Sequence, residues 1–480
     1  MADRVGSAEP QEASPHPSSA DETTREMAAE CAPHGAPATK IRYQVVGWLT
    51  TAAALAYLCR NSIGIAESQI REDLGLTLTQ SGHVMAAFFW SYAFLQVPTG
   101  AFSHKYGTRV ALPIFAIAWS ITTLATGLAP GLWLLIAAQL FMGVAQAGIF
   151  PASTNTINYW MPMSQRSIGC GVLAAGMQVG AIAASILMGV LLGVIGWRWS
   201  FALISPLGIV WAIDFYHRFR NRPEQAPTVN AAERELIVAD RPRQQILAAA
   251  ADDAGPTDWW AVLTHPGLWL IHGQQICRAA GYMFFASWFP TFLQETRGVS
   301  IAQSGYMQSV VLLGALLGGL AGGVLTDWIW RRTGNLWLSR SGVGAAALGG
   351  CAILILCSWF AQDATVAIGL LTVGVFFAQL AGPAMFAAVI DISGSRVAQI
   401  LGAVNMTGNL AVAVCPIMVG FLFERTANWN LVLIVFAVIY LFGAICWALV
   451  DPRFGIFNKG EEQEEAPNSI RGAQVATAKE

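Results

Sequence analysis

Apolar residues dominate the chain in long runs, broken at regular intervals by charges, prolines and Gly/Trp turns. A helix that crosses a bilayer needs about 20 mostly apolar residues. Twelve such stretches can be read, near 43–66, 81–103, 110–129, 132–157, 167–195, 199–219, 266–294, 302–326, 341–361, 364–390, 398–423 and 428–449. Each must be helical, because an open sheet leaves its backbone groups unpaired in lipid. The narrowest boundary is Ala129-Pro130-Gly131, which alone separates the third stretch from the fourth. The predicted fold is an all-α integral membrane protein with twelve transmembrane helices. The linker 220–265 divides them into two pseudo-symmetric six-helix bundles, 41–219 and 266–450, around a central cavity. Within the linker, Val229 to Ala239 has the pattern of a short amphipathic helix at the membrane surface. Residues 1–40 are rich in Pro, Ser, Ala and Glu and lack the apolar core of a signal peptide. They and residues 451–480 are expected to be disordered cytoplasmic tails.

Composition agrees with a membrane chain. Of 480 residues, 55% are hydrophobic and 12% charged, against about 25% charged in a soluble domain. The net charge of -2 gives no basic excess for nucleic acid, and no nucleic-acid partner is expected. The basic residues are unevenly spread. With both termini cytoplasmic, 21 of the 27 fall inside and four (Arg71, Arg198, Arg297 and Arg425) fall outside. That asymmetry obeys the positive-inside rule and predicts a multi-pass protein of the cell (inner/plasma) membrane. Two arginines, Arg60 and Arg278, fall within predicted spans. The eight cysteines form no C-x-x-C pair, so neither a disulfide nor a metal framework is indicated, and no cofactor is expected.

The two halves echo one another. Gly100-x-x-x-His104-Lys105-x-Gly107-x-Arg109 follows the second span, and Gly323-x-x-x-Asp327 with Arg331, Arg332 and Gly334 follows the eighth. Met188-Gly189 before Trp197-x-Trp199 is matched by Val419-Gly420 before Trp429. Parallel repeats around a midplane cavity are a transporter design.

These basic loops resemble the signature of the major facilitator superfamily. Other motifs resemble its anion:cation symporter branch, which includes sugar-acid transporters and the vesicular and lysosomal organic-anion carriers. They are Arg60-Asn61, Trp90-Ser91-Tyr92, Gly143-x-x-x-x-Gly148-x-Phe150-Pro151, Trp288-Phe289-Pro290-x-Phe292-Leu293, and Asn405 with Pro416 and Gly420. The resemblance spans about residues 40–450. It implies that Arg60 binds a substrate's anionic group, and that the basic loops (Gly100, His104, Lys105, Arg109; Asp327, Arg331, Arg332) latch one state of an alternating cycle. The first loop departs from the pattern, with His104 where the superfamily usually has Asp. The proton-coupled sugar-acid members place an acid before the first-span arginine and a glutamate in the fourth span. Here those positions are Cys59 and Gln146, and Gln139 stands where they place an arginine.

A guanidinium in a bilayer is costly and marks a functional site by default. Tyr57, Arg60, Asn61 and Gly64 share one helix face by spacing, and the spans hold almost no Asp or Glu to pair with Arg60. On the seventh span His272, Gln275, Arg278 and Tyr282 form a polar stripe. Two cavity arginines suit an oxyanion, because the planar guanidinium binds it bidentately. Tyr92, Gln96, Gln139, Gln146, Gln178, Gln308, Gln379, Asn405 and Asn409 supply hydroxyl and amide groups suited to a polyhydroxylated ligand. Trp288, Phe285 and Phe386 are candidate stacking walls, Asp391 a gating residue and His272 the remaining coupling residue, since imidazole titrates in the useful range.

The expected function is secondary active or facilitative transport of a small organic anion (a hexuronate, aldonate or similar sugar acid) by a monomer. The coupling cation, H+ or Na+, or a counter-anion stays open. An organophosphate or sulfated-sugar transporter or exchanger is the alternative, with a non-transporting, transporter-like sensor as a third reading. An enzyme is not expected: the spans hold no H-E-x-x-H, G-x-S-x-G or acidic pair.

Overall fold

The structure, a computed structural model, describes residues 37–162, 165–238, 264–361, 363–393 and 397–453. The predicted tails lie almost wholly outside the described residues. Fifteen α-helices are described: α1 (Ile41–Leu74), α2 (Leu78–Tyr106), α3 (Thr108–Gly127), α4 (Leu132–Ala147), α5 (Ile149–Trp160), α6 (Arg166–Ile204), α7 (Pro206–Arg218), α8 (Ala231–Val238), α9 (Pro266–Ser287), α10 (Phe289–Arg297), α11 (Ile301–Thr333), α12 (Val343–Phe360), α13 (Ala364–Ser393), α14 (Val397–Thr426) and α15 (Trp429–Leu449). A π-helical turn, Leu338–Gly342, leads into α12.

Several breaks fall where the sequence supplies a reason. α4 gives way to α5 at Gly148, and α9 to α10 at Trp288. Pro290 lies in the first turn of α10, where its missing N–H leaves no helical bond unmade. The predicted gap at 196–198 is a turn on one residue: Gly196, with φ 72° and ψ 172°, lies inside α6. Both α2 and α11 open with a reciprocal capping box, Thr77 with Gln80 and Ser300 with Gln303.

Eight helical stretches are long and apolar enough to cross a membrane, among them Ile168–Arg218, whose 51 residues contain the Gly196 turn. α1, α2 and α9 fall outside that set. They carry the polar residues singled out above, Tyr57, Arg60, Asn61, Tyr92, Gln96, Gln275 and Arg278.

α1 packs along α6, α2 along α4, α11 along α13, and α12 along α13 and α15. Across the centre, α2 runs beside α14 and α6 beside α11. The chain thus has a basic face, bearing Lys105, Arg109, Arg331 and Arg332, and an opposite, far face. Towards the far face the helices of 41–218 and 266–449 press together backbone to backbone. A Cβ on Gly64 would stand 2.8 Å from the Ser287 carbonyl oxygen, and one on Gly82 2.6 Å from that of Pro416. Such approaches need glycine, and they let helices meet closely where no hydrophobic drive exists between them in lipid.

The predicted amphipathic segment is helix α8, and it is anchored rather than free. Its Glu233 is fully buried and accepts hydrogen bonds from Arg42 N at 3.1 Å and Ile41 N at 3.2 Å, capping α1. Arg42 NH1 pairs with it at 2.9 Å. The linker is therefore tied to the first helix.

Candidate functional site

Arg60 and Arg278 lie on α1 and α9, which face each other across the central seam. The Arg60 guanidinium is caged by aromatic rings: its carbon is 4.0 Å from the Tyr57 centroid, 5.0 Å from Phe88, 5.4 Å from Phe89 and 5.8 Å from Tyr92. Tyr57 is one turn before Arg60, and the other rings come from α2. Each cation–π contact contributes about 0.5–2 kcal/mol depending on desolvation. Among the described residues no carboxylate pairs with Arg60. Its Nε is buried without a partner. Arg60, Asn61, Phe88, Gln139, Met283 and Ser287 line a small cavity of about 20 Å³, so both groups of helices border it.

Arg278 is held by amides. Its NH1 donates to Gln379 Oε1 at 3.0 Å and its NH2 to Gln275 Oε1 at 2.9 Å. Its Nε is likewise buried and unpartnered. Neutral acceptors fix the guanidinium's direction without cancelling its charge. Tyr282 joins the two sites: its hydroxyl donates to Gln178 Oε1 of α6 at 2.9 Å, and its ring lies within electrostatic reach of Tyr57, Arg60 and Arg278. Arg60, Tyr57, Asn61, Tyr92, Gln178, Gln275, Arg278, Tyr282 and Gln379 are thus brought together at the seam.

Other predicted residues have other employment. Gln146 is buried and donates to the Ala56 carbonyl at 3.0 Å, bracing α4 on α1. Gln308 donates to the Phe285 and Ala286 carbonyls and accepts from Ser185 at 3.0 Å. Asn61, at the seam, spends its amide N–H on the Tyr57 carbonyl of its own helix at 2.8 Å. Gln96 lies beside Tyr92, while Asn405 is exposed on α14. His272 Nδ1 is 2.8 Å from Thr407 Oγ1 and its ring 6.1 Å from that of Trp269. Trp288 and Phe285 are fully buried in the core, and Trp288 Nε1 donates to the Pro416 carbonyl at 3.1 Å.

On the basic face, Arg109 Nε donates to the Tyr216 carbonyl at 3.0 Å, within its own group of helices. Gly107 has φ 79°, and the Asn221 amide occupies the place a Cβ would need. His104, Lys105, Asp327, Arg331 and Arg332 are exposed, and Gly100 abuts Pro151. Asp391 pairs with Arg340 at 2.9 Å, a bond inside the second group.

A buried acid lies just outside the predicted spans. Glu67, one residue past the first predicted span, is 3% exposed. It accepts from Arg71 Nε at 2.9 Å and from Thr291 Oγ1 at 2.8 Å. The i, i+4 spacing of Glu67 and Arg71 was visible in the sequence; that Thr291 meets them from α10 was not.

Known proteins resemble this chain along most of its length. The profile of the Major Facilitator Superfamily matches residues 49–378 and 339–477. Among curated proteins, the chain is 27% identical over 431 residues to the probable sulfoacetate transporter SauU of Cupriavidus necator, covering 90% of this chain and 99% of that one. It is 26% identical over 430 residues to the probable galactarate/D-glucarate transporter GudP of Escherichia coli, covering 86% and 94%. It is 24% identical over 403 residues to the hexuronate transporter of Bacillus subtilis, covering 82% and 90%. Among solved structures, a bacterial homolog of the human lysosomal transporter Spinster, inward-facing and occupied, superposes with a TM-score of 0.70 at 17% identity, covering 87% and 98%. The unoccupied inward-facing form gives 0.67. The chain belongs to the Major Facilitator Superfamily, and it is a membrane transporter rather than an enzyme.

Proposed function

We propose that the protein carries a small organic anion across the cell membrane by alternating access, the anion held between Arg60 and Arg278. The observation that carries this reading is the pair of guanidiniums on α1 and α9, neither offered a carboxylate among the described residues and each with a buried, unpartnered Nε. An isolated buried charge is expensive, and an oxyanion would supply the missing partner bidentately. Two such groups favour a molecule with two anionic ends or one doubly charged end. Sugar diacids and short sulfonated carboxylates meet that description, and relatives are named as transporters of both; a hexuronate, the named substrate of another relative, has one anionic end and would engage one guanidinium. Gln178, Gln275, Gln379, Tyr92 and Tyr282 would read the hydroxyls.

Twelve membrane crossings in two six-helix bundles, 41–219 and 266–450, follow on this reading once Ile168–Arg218 counts as two and α1, α2 and α9–α10 are included. The matched capping boxes of α2 and α11 support the pseudo-symmetry. The basic face would be cytoplasmic, with both termini there. The hydrogen bonds joining the bundles run from Tyr282–Gln178 to Thr79–Glu424 and Arg71–Glu295 at the far face. The present state is then closed to the outside, with the basic loops unlatched, and the unit acts as a monomer.

The test is uptake into proteoliposomes of labelled sulfoacetate, galactarate and glucuronate, with imposed pH and sodium gradients and Arg60→Ala as control. Uptake of at least one anion that Arg60→Ala abolishes is expected. Undiminished uptake by the variant would remove Arg60 from the site. Indifference to both gradients would mark uniport or exchange.

A further inference from the structure

We infer that Glu67 is a proton-binding site, created when the far-face seam closes and dismantled when it opens. The inference rests on the alternating movement proposed above, but not on the identity of the anion.

Glu67 lies near the far end of α1, a helix of 34 residues. At 1.5 Å per residue that is about 50 Å, well beyond the ~30 Å hydrocarbon core. Its carboxylate is enclosed all the same. From its own helix it faces Arg71, from α2 the hydroxyl of Ser81, and from α10 the hydroxyl of Thr291. Arg71 is the one charged group acting on it directly among the described residues. That arginine is shared. Its NH2 reaches Glu295 Oε1 at 2.6 Å, and Glu295 Oε2 accepts from Trp429 Nε1 at 2.9 Å. Two carboxylates therefore lean on one guanidinium. A far-face cavity of about 580 Å³, lined by Glu295 and Trp429, brings outside water to the edge of the cluster.

Thr291, Glu295 and Trp429 lie across the seam from Glu67. Arg71 rides on α1 with Glu67 and stays beside it when the bundles part. In the open form Glu67 meets water with its own arginine at hand. Closure buries it and brings in Glu295 as a competitor for that arginine. Desolvation and the second negative charge both favour the neutral carboxyl. A proton on Glu67 also releases Arg71 to Glu295, which tightens the bond across the seam. Linkage fixes the sign: acid favours the form with the higher proton affinity. Low pH therefore closes the far face and high pH opens it, by up to about tenfold in the population ratio per pH unit for one proton.

The test is hydrogen–deuterium exchange of segments 78–85 and 287–297 in nanodiscs from pH 5 to 8 without substrate, corrected for intrinsic exchange. Protection in the wild type should fall as pH rises. Glu67→Gln should stay protected and lose the response. Glu295→Gln should keep it with a lower midpoint, because the second negative charge is gone. A wild-type profile flat across this range, or a Glu67→Gln profile that follows the wild type, overturns the inference. Should Glu67→Gln not fold, Thr291→Val spares the carboxylate but removes a donor to its charged form. Its midpoint should rise, and an unmoved midpoint is equally fatal. Anion uptake measured in parallel is a separate readout: its absence with an intact pH response would refute the transport reading alone.

Discussion

Adding one methyl group at Gly82 tests whether the far-face seam is a closed, separable contact. In Gly82→Ala the new Cβ would stand 2.6 Å from the Pro416 oxygen, 3.0 Å from its carbonyl carbon and 3.1 Å from Ile417 Cα. All three are backbone atoms of α14, so no side chain can swing aside. Reaching ordinary contact near 3.4 Å requires α2 and α14 to part by about 0.8 Å. Overpacking of this kind costs about 1–3 kcal/mol. At 1.4 kcal/mol per factor of ten, the closed-to-open ratio at the far face falls about 5- to 150-fold. The gain in helix propensity over glycine applies in both states and cancels. Gly314→Ala is the control: its Cβ meets the Thr372 carbonyl oxygen at 2.9 Å, but α11 and α13 belong to one bundle and stay together. Gly82→Ala should raise deuterium exchange in 78–85 and 412–420 with a modest change in melting temperature. Gly314→Ala should lower the melting temperature without that local change. Equal protection of the seam in Gly82→Ala and wild type would refute a rigid, backbone-to-backbone closure.

Arg60→Lys keeps the charge but loses the planar fork, and should weaken anion binding about 10- to 100-fold, measured by calorimetry on purified protein. Unchanged affinity would mean that Arg60 acts as a point charge. Gln379→Glu puts a carboxylate where an amide oxygen now lies 3.0 Å from Arg278 NH1. It should cut anion affinity at least tenfold while the protein still folds, and retained affinity would take Arg278 out of the site. At the far end of α1, the hydrogen bond from Arg198, aided by Trp197, holds the Asp73 carboxyl below its ordinary value. A depressed group stabilises the fold above its unfolded pKa, about 3.9 for Asp, and loses that contribution as pH falls further. The melting temperature of Asp73→Asn should therefore sit below the wild type at pH 6 and converge with it towards pH 3; a constant gap would contradict the assignment.

The apolar runs and their charged punctuation determined most of the architecture. Helices are obligatory in lipid, and each run had the length of a crossing. That Arg60 and Arg278 need partners was also legible, because a guanidinium in such a run is costly. Partners were not legible, because a side chain's neighbours come from other helices whose rotation no single run encodes. Gln146 and Gln275 look alike in sequence. Packing turns one onto the Ala56 carbonyl and the other onto Arg278. Phe285 and Trp288 read as possible walls and proved to be core. Glu67 is the sharpest case. By sequence it is an ordinary acid just past a span. Only the meeting of α1, α2 and α10 encloses it, because burial is a property of the seam and not of the residue. The sequence alone thus determined which charges had to be explained, and the tertiary structure decided which of them are paired, since pairing depends on contacts between helices distant in the chain.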